Sequence, residues 1–160
     1  MDAIRLPAAI EPDEWFVVFH RHTPSRLLAL IALGCFKHVS AFAYCPGFKL
    51  WLLYDTSLSG TRIVLLSHGE IAKASLVKYT NNCAIVKIAS RRVHMGWSSR
   101  LAFYCVPAVK HLIGLRCVAM RPDALYRQIL RSGGVPIHGC DQHRAGRAGH
   151  HPAAGPDYPH

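Results

Sequence analysis

The stretch FKHVSAFAYCPGFKLWLLYD, residues 36–55, holds two β-prone runs on either side of a turn. FKHVSAFAY (36–44) and FKLWLLYD (48–55) are rich in β-branched and aromatic residues, and CPG separates them. Proline presets φ at the first turn position and glycine accepts a positive φ at the next, so the pair Pro46–Gly47 marks the bend of a hairpin. A turn centred there opposes Cys45 to Phe48 and, further along, His38 to Asp55. Such cross-strand neighbours share a sheet face, with Cβ atoms about 5 Å apart. An imidazole beside a carboxylate on a rigid sheet is an oriented base. The carboxylate selects the tautomer and stabilises the charged ring.

Working outward, EWFVVFH (14–20), TRIVLLS (61–67) and CAIVKIA (83–89) read as further strands. HTPSRLLALIALG (22–34) carries helix punctuation: Thr23 to cap, Pro24 for the first turn and Gly34 for the stop. GEIAKASLVKYT (69–80) has apolar residues in helical spacing. A helix is expected to begin at Cys105, with Val109, Leu112 and Ile113 on one face and Gly114 near its end. RPDALYRQIL (121–130) reads as the last helix. The pattern predicts an α+β fold, a central antiparallel sheet with packed helices, over residues 1–132. Residues 133–160 are dense in Gly, Pro, His and Arg, with almost no aliphatic periodicity, and are expected to form a disordered basic tail. Its five histidines have nothing to hold them at ligand geometry, so neither a metal nor a cofactor is expected.

The chain has 160 residues and is 51% hydrophobic, enough for one domain with a core. Its formal net charge of +10 permits nonspecific contact with nucleic acid or anionic membrane without fixing an activity. No stretch alternates aromatic with basic residues as a single-strand binding platform does. SRRVHMGWSSR (90–100) clusters three arginines around an aromatic and reads either as a solvated loop or as a lip for an anionic ligand. The longest apolar run, LLALIALGCF (27–36), is too short to span a bilayer, and the first residues lack the pattern of a signal peptide. No two of the six cysteines form a Cys-x-x-Cys pair, which excludes a zinc knuckle. Free thiols in a reducing, cytoplasmic setting are the expectation.

Among those thiols, Cys105 stands out. It ends the run LAFYC and opens the amphipathic segment VPAVKHLIGL. A helix N-terminus presents unsatisfied N–H groups and the positive end of the dipole, which favour a thiolate and offer an oxyanion donor. The ordinary alternative is a buried structural cysteine. His20, His22, His68, His94 and His111 lack a carboxylate at a comparable register and read as surface or structural residues.

FKHVSAF, WLLYD and YCVPAVKHLIGL resemble the circularly permuted papain-like group, relatives of the NlpC/P60 peptidases and of lecithin:retinol acyltransferase-like proteins. With RPDALYRQIL behind them they are also similar to small uncharacterised bacterial and phage-encoded proteins. The resemblance covers roughly residues 15–131. It implies a thiol hydrolase or acyltransferase acting on an amide, ester or thioester, with Cys105 as nucleophile, His38 as base and Asp55 as orienter. The order His38, Asp55, Cys105 is the permuted one. No glutamine stands just before Cys105 as a second oxyanion donor, which leaves that role to a backbone N–H or to Trp51. The alternative function is a non-catalytic protein of the same fold, a virion component or a basic interaction module.

Overall fold

The computed structural model describes residues 12–22, 34–57, 60–67, 69, 75–77, 79–90 and 104–139. Six antiparallel strands form one sheet: β1 (Glu14–His20), β2 (His38–Cys45), β3 (Leu50–Ser57), β4 (Gly60–Ser67), β5 (Cys83–Ala89) and β6 (Val135–His138), in the spatial order β4-β3-β2-β1-β5-β6. Two helices follow β5 in sequence, α1 (Cys105–Leu112) and α2 (Pro122–Arg131). Residues 75–77 and 79–80 are also helical. The expected antiparallel sheet with packed helices is what forms. The helix expected at 22–34 and the arginine cluster at 90–100 lie almost wholly outside the described residues.

Strand alternation divides the core in two. One face carries Val17, Phe19, Val39, Ala41, Ala43, Ala84, Val86 and Ile88, and buries them against Val106, Val109 and Ile113 near α1 and Leu125, Tyr126 and Ile129 of α2. Phe19, Phe36 and Tyr126 meet as an aromatic trio, with centroids 5.1–5.3 Å apart. The other face carries Val18, Phe42, Leu53 and Cys83, with Phe16, Trp51, Leu76 and Tyr79 packed on them. Fully burying a side chain of this size is worth about 1.5–3 kcal/mol, so the first face dominates the stability.

The β2–β3 hairpin corrects the expected register. Pro46–Phe48 forms a 3-10 turn, Lys49 takes a left-handed φ of 51°, and its N–H donates to the Pro46 carbonyl. The loop is therefore residues 46–49, and Cys45 opposes Leu50, not Phe48. A two-residue displacement is even, so every side chain keeps its face. His38 and Asp55 still point the same way, now as diagonal neighbours.

The sheet also continues past residue 132, where the sequence places the boundary. Val135–His138 pairs with β5, with an irregularity between Ile85 and Val86. Gly134 permits this, because a Cβ there would collide with Ile129 and Val86. All four residues of β6 are exposed, so they add edge pairing without adding core. Residues 140–160 lie outside the described residues.

Candidate active site

His38 is the first residue of β2, and its Nε2 donates to Asp55 Oδ1 on β3 at 2.6 Å. The two side chains are 12% and 28% exposed, so water screens the pair only partly. On the other side of the ring, Nδ1 is buried and makes no well-formed hydrogen bond. Besides Asp55, the Cys105 thiol acts on the electrostatics of the ring.

Burial disfavours a charged imidazole at His38. The hydrogen bond to Asp55 and the charge of that carboxylate, with the influence of the Cys105 thiol, outweigh it and raise the pKa to about 9. For Asp55, burial pushes upward, but the hydrogen bond and positive charge of His38, with smaller help from His20 and Tyr79, hold the carboxyl below its ordinary value.

Cys105 opens α1 after Tyr104, which is extended and offers no side-chain cap. Ala108 N–H donates to the Tyr104 carbonyl at 3.3 Å, and Pro107 has no N–H. The first turn therefore leaves the N–H groups of Cys105 and Val106 as its available donors. Helix α1 packs against β2 and β3. Its buried residues belong to the first core face, whereas alternation puts His38 on the second. Cys105 is itself one of those first-face core residues.

Sequence reasoning missed a second cysteine–histidine pair alongside. His20 ends β1 opposite His38, and the rings lie 5.4 Å apart. Its Nε2 is 2.7 Å from Ser40 Oγ, and its Nδ1 is 3.1 Å from Cys83 Sγ. The Cys83 S–H also points to the Asn81 carbonyl at 3.4 Å. Burial, then the neighbouring charge of His38, lowers the pKa of His20 to about 4, against a smaller upward pull from Asp55. Burial raises that of Cys83 to about 11. Tyr79 packs edge-on against His20, and its hydroxyl, near Ser40 and Asp55, is raised chiefly by burial. The signal was the antiparallel pairing itself, which sets His20 against both His38 and Cys83.

Trp51, considered above as an oxyanion donor, stands elsewhere. It packs with Phe16, Phe42 and Tyr44 toward the other end of β3 from Asp55. Of the remaining thiols, Cys35 is exposed, Cys45 is buried and Cys117 is half-buried. Among the described residues, no group of three or more His, Cys, Asp and Glu side chains is placed to hold a metal ion, and no helix is long and apolar enough to cross a membrane.

Comparison of the chain with protein-family models, with characterised proteins and with solved structures finds no match.

Proposed function

We propose that the protein is a cysteine hydrolase or acyltransferase acting on an amide, ester or thioester, with the permuted papain-like plan. Cys105 is the nucleophile, His38 the general base and acid, and Asp55 the residue that orients and charges the ring. The observation that carries this reading is the 2.6 Å bond from His38 to a carboxylate, together with the electrostatic influence on the same ring of a thiol that opens a helix. With His38 protonated up to about pH 9, the thiol proton already resides on the imidazole and the sulfur attacks the substrate carbonyl as the thiolate. The oxyanion lies against the first-turn N–H groups, and imidazolium returns the proton to the leaving group. Water or a second acceptor then releases the acyl group by the same exchange.

Alkylation by iodoacetamide, read by peptide mass spectrometry, tests the pairing. An ordinary thiol slows about tenfold for each pH unit below its pKa. Cys105 should slow only a few-fold between pH 8 and pH 6, and His38→Ala should restore the ordinary slope. A Cys105 slope like that of Cys35 in the native chain refutes the proposal. The second reading, a non-catalytic interaction protein, draws on Cys105 being only 4% exposed and packed in the first core cluster. On that reading His38 and Asp55 are a structural ion pair, and Cys105 resists alkylation at every pH.

A further inference from the structure

Far along the sheet from His38, on the same face, lies a cavity of about 390 Å³ lined by Asp13, Glu14, Phe16, Tyr44, Pro46 and Trp51. Its size is that of small-ligand pockets, which run about 300–1,000 Å³. Three aromatic rings and two carboxylates make up most of its lining. The rings hold one another: Tyr44 and Trp51 lie 5.2 Å apart at 52°, and Phe16 and Trp51 lie 6.1 Å apart at 55°. Behind them Phe42 stacks on Phe16 at 5.0 Å. The walls are therefore built into the sheet.

The charge is the telling feature. The chain has 19 Lys and Arg against 9 Asp and Glu. Two of those few carboxylates line this one cavity. Glu14 shares its charge with Lys87 at 3.0 Å. Asp13 makes no ion pair among the described residues, and its place is fixed through the backbone, where its carbonyl accepts from Ser90 N–H at 2.8 Å. Aromatic walls attract cations through the ring quadrupole, and a nearby carboxylate adds a long-range pull. A solvent-exposed acidic pair in a basic protein would not by itself suggest a ligand. Placed at the rim of an aromatic cavity, it does.

We infer that this cavity binds an organic monocation of the methylated-ammonium class, with Phe16, Tyr44 and Trp51 as its walls and Asp13 as its counter-charge. Such a cation is weakly hydrated and too bulky for a tight ion pair, so it gains most from ring contact combined with a carboxylate at contact distance or slightly beyond. The site is independent of the Cys105–His38–Asp55 reading. Phe16 pairs with Phe42 and His20 with His38, so four residues of strand, about 13 Å, separate the two places.

The test uses the full chain and two probes of nearly equal shape: choline, and its uncharged carbon analogue 3,3-dimethylbutan-1-ol. The indole N–H resonance of Trp51 is followed by NMR at constant ionic strength. Choline should give a saturable shift in the millimolar range, and the uncharged analogue should bind at least about threefold more weakly. Asp13→Asn leaves the backbone bond to Ser90 intact, and should weaken choline by a similar factor while leaving the analogue unchanged. Equal binding of the two probes would reduce the cavity to an apolar cleft and overturn the inference. So would no saturable shift with choline, or choline binding that ignores Asp13→Asn.

Discussion

Two histidines sit side by side on this sheet, each with a cysteine acting on it, and they differ in their third member. Cys105 and His38 have Asp55; Cys83 and His20 have Ser40. Both histidines are largely buried, and their rings nearly touch. One is raised to about 9 and the other lowered to about 4. Burial pushes both down. At His38 the Asp55 carboxylate, with Cys105, reverses the sign, and a hydroxyl cannot, because it supplies no full charge to the imidazolium. The first histidine is held in its charged form. The second stays neutral, and its neutrality spares His38 a like charge at close range.

The largest expected effect comes from making the two pairs alike. Asp55→Asn removes the charge and keeps the shape. His38, followed by its ring resonances in NMR, should then titrate well below 9, because its largest upward influence is gone. A value that stays near 9 would mean that Asp55 is not what separates the pairs.

A sharper, intermediate test is the pH dependence of stability. His38 titrates near 9 in the folded chain against 6.5 in the unfolded one. Its contribution is complete below 6.5 and lost as pH rises from there through 9. His20 titrates near 4 when folded. Protonation therefore favours the unfolded chain, and stability is lost as pH falls from 6.5 toward 4. Each arm is worth at most on the order of 3 kcal/mol, and urea unfolding should show a maximum near pH 6.5. A monotonic profile across that window would break the comparison.

The smallest effect belongs to Ser40→Ala. It strips His20 of its hydroxyl partner at a fully buried position, which costs about 1–3 kcal/mol in urea unfolding. The titration of His38 should not move. If it does, the two pairs form one network and the contrast between them dissolves.

What was legible in the sequence followed from local rules. EWFVVFH and CAIVKIA carry their strand signal in composition, and β1 and β5 begin and end where those runs do. Cys105 opens its helix as the change from strand-like to amphipathic pattern implies. The hairpin register was off by two because Phe48 and Lys49 joined the turn, yet the even displacement left His38 with Asp55. His20, Ser40 and Cys83 stayed hidden for a different reason. No tight turn joins β1 to β2 or to β5, so nothing local sets those registers. β6 escaped because its exposed VPIH run buries nothing, and edge pairing leaves little trace in composition.

Asp123, in the first turn of α2, accepts from the backbone N–H groups of Cys35 at 3.1 Å and Phe36 at 3.3 Å, just ahead of His38. Gly34 leaves the carboxylate room, since any side chain there would overlap it. This clasp spans 88 positions of sequence. During synthesis at about 5–20 residues per second, the entry to β2 therefore waits several seconds for its anchor to be made. The thiol at 105 and the imidazole at 38 are both translated before that anchor exists. The arrangement delays a settled entry to β2, and with it the placement of His38, until nearly all of the sheet-forming chain is present.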